Sequence, residues 1–170
     1  MNGKLVSLLL GAAFGCSVCS LEAAPLNFGV TTTKKRLEVE RTGTASTTYT
    51  KEKWGYTITL ENKSFQNLSD IEVQYRQYKF ADKLKGDGAL KPVPGSNKMN
   101  TLANGAKFSF DTDPVEVDKQ ELKAGWSYHD GSKEKVKDAL AGYWLRLLKD
   151  GAVVFEYQYP PELAKKAKWE

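Results

Sequence analysis

The sequence predicts an all-β domain: an antiparallel sandwich of two sheets with seven to nine strands and one short helix. Apolar residues recur with a period of two along most of the chain, turn-forming residues interrupt that alternation at regular spacing, and a helical period shows in one short stretch. A closed barrel is the alternative architecture for the same pattern.

Leu26, Phe28 and Val30 alternate with polar or small residues, and Leu37 and Val39 repeat the pattern ahead of Thr42-Gly43-Thr44. Trp54, Tyr56, Ile58 and Leu60 point one way, and Thr57, Thr59 and Glu61 the other. Ile71, Val73 and Tyr75 form the next apolar face, opposite Glu72, Gln74 and Arg76. Each is a strand with one buried face, because successive side chains leave a strand on opposite sides. Tyr78 and Phe80 fall on the other parity, which predicts a bulge near Arg76 and Gln77. Residues 81–100, with Gly86, Gly88, Pro92, Pro94 and Gly95, read as a long polar connection of the length that marks mobile or functional loops.

Asn104-Gly105 signals a turn, after which Phe108, Phe110 and Thr112 alternate and Val115 and Val117 begin a short strand. The helix is expected over 132–140, with Ser132 as its N-cap and Val136, Ala139 and Leu140 on one face, crossing the end of the sandwich. Tyr143, Leu145 and Leu147 then run into the hairpin turn Lys149-Asp150-Gly151. Val153, Phe155, Tyr157 and Tyr159 return on alternate positions until Pro160-Pro161 stops the ladder. Residues 162–170 form a basic tail with Ala and Lys in helical proportions and Trp169 near its end, read as a frayed helix or a docking peptide.

The 170 residues carry 25 Lys and Arg against 21 Asp and Glu, a net charge of +4 that is too mild to indicate nucleic acid as a partner. Aromatic residues make up 11% of the chain, enough for a real core and too many for a disordered one. The start of the chain has the form of a secretory signal peptide: a basic beginning to Lys4, an apolar run over 5–18, and small residues around Ala23 and Ala24 before Pro25. Cleavage after Ala23 leaves a sandwich over 24–161 and the tail over 162–170. The apolar run is shorter than the roughly 20 residues of a membrane-spanning helix, so no transmembrane segment is expected in the mature chain. Both cysteines, Cys16 and Cys19, lie in the leader. The mature chain therefore enters an oxidising compartment without disulfides and relies on its core, for which the roughly 147 remaining residues suffice. Lipidation at Cys16, after Ala13-Phe14-Gly15, is the rival reading, and it would attach the protein to a membrane.

Trp54-Gly55-Tyr56-Thr57-Ile58-Thr59-Leu60-Glu61-Asn62 resembles the second strand of secreted bacterial domains of the immunoglobulin-like or fibronectin type III superfamily, and Tyr143 resembles a tyrosine corner. The resemblance implies an immunoglobulin-like sandwich in which Leu145 and Ile58 take the places of the disulfide cysteines and Tyr75 that of the core Trp. Gly142-Tyr143-Trp144-Leu145-Arg146 and the closing hairpin are similar to small exported domains of mucin-degrading gut bacteria encoded near pilus-assembly genes, which resemble the heads of archaeal type IV pilins. The similarity covers most of the mature chain in pattern. Because the apolar stretch here precedes the cleavage site, it implies an accessory or surface subunit rather than a pilin of the filament core.

Catalysis is not expected, nor is any cofactor. His129 is the single imidazole, in a turn-rich stretch beside Asp130, and adjacent residues of an extended segment point apart, so His129, Asp130 and Ser127 do not make a triad. Asp111, Asp113, Glu116 and Asp118 read first as a solvated strand end, with calcium binding through oxygen ligands as the alternative for Asp111, Asp113 and Asp118. The surface expected to work is a strand edge or the sheet face that carries Trp144 and Arg146, joined by Val154 and Glu156 on the returning strand. Its partner would be a protein, either a second copy or an envelope or pilus component, at the cell surface, in the periplasm or in the medium. The alternative is glycan binding by stacking on Trp126, Tyr128 and Trp144.

Overall fold

The computed structural model describes residues 26–169. The leader, its cleavage site and Cys16 lie outside them. The described residues form β1 (Phe28–Gly43), β2 (Thr47–Asn62), β3 (Leu68–Ala81), β4 (Ala89–Leu102), β5 (Lys107–Asp111), β6 (Val115–Leu122), β7 (Lys135–Lys137), β8 (Ala139–Lys149) and β9 (Ala152–Tyr159). The first sheet runs β1-β2-β6-β7, with β5 beside the other half of β2, and the second runs β4-β3-β8-β9. Every pairing is antiparallel. The protein is thus an all-β sandwich of nine strands, not a closed barrel. In the lettering of immunoglobulin-like domains the second sheet has the order C′-C-F-G, and β1, β2 and the broken β5-β6 strand stand as A, B and E.

The alternation places the core as expected. Tyr56, Ile58 and Leu60 of β2, Ile71, Val73 and Tyr75 of β3, and Tyr143, Leu145 and Leu147 of β8 are buried in one cluster between the sheets. Each such side chain contributes about 1.5–3 kcal/mol on leaving water. Ile58 and Leu145 are fully enclosed apolar residues, and Tyr75 is buried with them. Tyr143 does not close a corner within its own strand region: its hydroxyl meets Thr32 Oγ1 of β1 at 2.5 Å and so ties the two sheets together.

Four expectations are corrected. The segment expected as a helix over 132–140 is β7 and the start of β8: Val136 pairs with Gln120 on the open side of β6. A helix of so few residues is marginal, whereas the Lys-Val-Lys alternation satisfies a sheet edge. The only helical turn among the described residues is a short 3-10 helix at Pro161–Lys165.

The connection expected over 81–100 is mostly β4, an edge strand on β3, where Pro92 and Pro94 are tolerated because the edge has no second neighbour to receive an N–H. The bulge expected near Arg76 lies instead on β8, where Ala141 is the extra residue between the Tyr78–Gly142 and Lys79–Leu140 pairs. Gln77 keeps the inner face, and Tyr78 is buried on the outer one. Leu37 and Val39 do not join the core. They are 54% and 40% exposed where β1 and β2 run on past the second sheet, and Leu37 is the extra residue of another bulge.

Candidate functional site

The outer face of the second sheet carries the expected cluster. Side chains two apart on one strand share a face, and the register sets Arg76 of β3 beside Trp144 of β8, and Arg146 beside Glu156 of β9. Glu156 orients two groups at once, accepting from Trp144 Nε1 at 2.8 Å and from Arg146 Nε at 2.9 Å. The Arg146 guanidinium stands 5.6 Å from the Trp144 ring centre. An exposed pair of this kind adds little stability, so its effect is to hold an indole and a guanidinium in a defined pose.

That cluster is not bare, because the tail folds back over it. After Pro160-Pro161 stops β9, Leu163 and Ala167 are buried against Tyr78, with Leu90, Ala141 and Trp144 around them. This contact explains the parity of Tyr78, an apolar residue that faces outward because another part of the chain covers it. The Tyr78 hydroxyl donates to the Lys168 carbonyl at 2.8 Å, and burial raises its pKa. Trp169 packs edge-on against Trp144 at 5.9 Å between ring centres, with the guanidinium of Arg146 at 4.4 Å and that of Arg76 at 4.9 Å from its own centre. The tail is a docking peptide, and it docks on its own chain.

Beyond Trp169 the face opens into a cleft of about 360 Å³ lined by Glu72, Gln74, Arg76 and Ser96. It shares Glu72 and Ser96 with a second cleft of about 530 Å³ that reaches Asp70, Lys98, Leu148 and Asp150. Part of the face is therefore covered by the tail, and part is an open groove with more acid than base on its floor. Such an arrangement can hold an aromatic ring between cations and anchor a basic strand beside it.

The other expected residues lie elsewhere. Val154 is the extra residue of a bulge in β9, half-buried against the main core rather than beside Trp144. Trp126, 55% exposed, and Tyr128, which accepts from Gln120 Nε2 at 2.8 Å, stand on the loop between β6 and β7 of the first sheet, so the structure does not join them to Trp144. His129 is exposed on that loop, and Asp130 beside it turns to Lys85 at 2.7 Å and to the Ser132 amide, which hold its carboxyl well below the usual range.

Asp111 accepts from Thr57 and pairs with Lys35 at 3.6 Å, Asp113 accepts from the Tyr75 hydroxyl at 3.0 Å, Glu116 pairs with Lys51 at 3.7 Å and Asp118 with Lys79 at 3.7 Å. These carboxylates face separate partners and do not converge. The sequence marks Trp169 as part of a candidate docking tail but does not bring Arg76 to it. The signal for their meeting was the misplaced parity of Tyr78 together with the apolar residues Leu163, Ala167 and Trp169 of the basic tail.

No protein-family model matches this chain, and no curated protein does. Among solved structures it is similar to the Northeast Structural Genomics Consortium target SoR45, with 13% identity over 79% of this chain and 88% of that one and a TM-score of 0.37. It is also similar to a protein from Akkermansia muciniphila, with 9% identity over 84% of this chain and 77% of that one and a TM-score of 0.29. Both likenesses are too weak to argue from, and the architecture rests on the sheets themselves.

Proposed function

We propose that this chain is a non-catalytic interaction module of the bacterial cell envelope, secreted by its leader and acting through protein–protein contacts on the outer face of the second sheet. The observation that carries the reading is the Trp144–Arg146–Glu156 cluster: a half-buried indole and a guanidinium held by one carboxylate, with Trp169 and Arg76 between it and an open groove. Trp and Arg dominate the energetics of protein interfaces, and pre-oriented ones lose less entropy on binding. Among the described residues no helix is long and apolar enough to cross a membrane. The finer reading, drawn from the family resemblance, is an accessory subunit of a pilus or other surface assembly.

Crosslinking on producing cells, followed by pull-down and mass spectrometry, should recover the protein with envelope components or with itself. Trp144→Ala should lower that association at least tenfold in sedimentation velocity while the melting temperature stays within a few degrees. Unchanged association would remove this face from the reading. A second reading, glycan binding, is favoured by the exposed Trp126 ring on the same loop as Tyr128, whose hydroxyl is held by Gln120. Saturable binding of mucin-type glycans that Trp126→Ala abolishes would establish it in place of the first.

A further inference from the structure

The tail and the slot beneath it form a ligand and its receptor on one chain. The slot is built without the tail: Trp144 and Arg146 are both held by Glu156 from β9, and Arg76 stands on the central strand β3. The tail is separable. It begins where Pro160 and Pro161 end the ladder, and it is attached through Leu163, Ala167, Trp169 and the one hydrogen bond from Tyr78. Among the described residues no carboxylate pairs with Lys165, Lys166 or Lys168. On the far side of Trp169 the open groove presents Asp70, Glu72 and Asp150 against Lys98, with Arg76 at its Trp169 end.

We propose that the slot between Arg76 and Arg146 receives, from across the open groove, the C-terminal segment of a second copy of this chain, with Trp169 as the anchor. The proposal rests on the reading of this face as the working surface, and it names the partner. In its own chain the tail enters from the Tyr78 side, and its lysines stay clear of the acidic floor. A tail arriving over the groove sets the same indole between the same two guanidiniums and lays its lysines along Asp70, Glu72 and Asp150. Exchange of an identical element between copies replaces contacts of one kind with contacts of the same kind, so its equilibrium is set by concentration and by what the new path adds. Here the addition is opposite charge. Because one copy gives its tail and the next its slot, the contact is head-to-tail and propagates unless a rotation closes it.

Complementation tests this. The full-length chain with W169A keeps the slot and lacks the anchor, and the full-length chain with R76A/R146A keeps the anchor and lacks the slot. Each is first shown to be folded by circular dichroism and by its melting temperature. In sedimentation velocity at several hundred micromolar, the mixture should associate at least tenfold more tightly than either variant alone, in a one-to-one complex. The gain should vanish when W169A is added to the R76A/R146A chain, and it should weaken several-fold when Glu72→Lys is placed in the slot-bearing chain. A mixture that sediments as two folded monomers overturns the proposal. If wild-type association then still depends on Trp144, the face works with a different ligand. If the wild type neither associates with itself nor recovers envelope proteins, the functional reading itself has failed.

Discussion

The Thr112 hydroxyl donates to the side-chain carbonyl of Gln77 at 2.9 Å, with Gln77 fully enclosed and Thr112 nearly so. Thr112 also accepts from the Tyr56 amide at 2.9 Å, and Gln77 Nε2 donates to the Asp113 carbonyl at 2.6 Å. The network joins β2 and β3 across the sandwich at the break between β5 and β6, where the ladder leaves backbone groups to be satisfied by side chains.

Removing one member leaves buried partners unpaired, at about 1–3 kcal/mol for each orphaned group. Gln77→Leu and Thr112→Val are each expected to lower the unfolding free energy by about 2–4 kcal/mol. The double variant should lose at least about 1 kcal/mol less than the sum, because the two residues share a bond. Urea denaturation of the four proteins checks it, and strict additivity would contradict the network.

Alkaline pH should unfold this domain. Burial pushes the phenols of Tyr56 and Tyr143 far above their ordinary value, and burial pushes Tyr75 up to about 12, with the Asp113 amide opposing the rise and the Asp113 carboxylate adding to it. A phenol raised in the folded state stabilises fully below its unfolded pKa of about 10, and that stability is lost as pH rises through the folded value. The urea midpoint should therefore fall steadily between about pH 10 and pH 12. Phenolate absorbance of the buried tyrosines should appear together with loss of the folded far-ultraviolet spectrum. Their complete ionisation near pH 10 in a chain that keeps its fold would contradict the burial argument.

Gly95 lies opposite Tyr75 in the β3–β4 ladder, and a Cβ there would come within 2.3 Å of the Tyr75 ring. The ring is held by Asp113 through its hydroxyl and packs against Phe110, so it has nowhere to retreat. Gly95→Ala should cost about 1–3 kcal/mol by overpacking. Gly86→Ala is the contrasting variant, since nothing lies near its Cβ and only its positive φ resists. It should cost about 1 kcal/mol. Thermal unfolding of both orders them.

The tail should detach as a unit. Leu163 is its one deeply buried large side chain, and Leu163→Asp places a charge against Tyr78 and Trp144. Tryptic cleavage at Lys165, Lys166 and Lys168 should accelerate at least tenfold, while the urea midpoint of the sandwich moves by less than the single-residue changes in its core. A slow, unchanged cleavage rate would mean that the tail is held by other contacts.

The period-two pattern determined most of the strands and their inner faces, because alternation is a local property and one buried face suffices to select it, whereas the choice of sandwich over barrel came from how the strands pair. It placed Tyr56, Ile58, Leu60, Tyr143 and Leu145 in the core, and it set Trp144, Arg146 and Glu156 together on the opposite face. The same local rule misread Val136, whose three-residue strand exists only because β6 offers an edge, and Pro92 and Pro94, which are tolerated only because β4 has one neighbour. Tertiary structure alone decided that Tyr78 and Trp144 share a covering, that Trp169 lies between Arg76 and Arg146, and that part of the face remains open. Those relations join residues some 25 to 90 positions apart, and they depend on where a terminal segment lands on a finished sheet. Local periodicity carries no information about that choice.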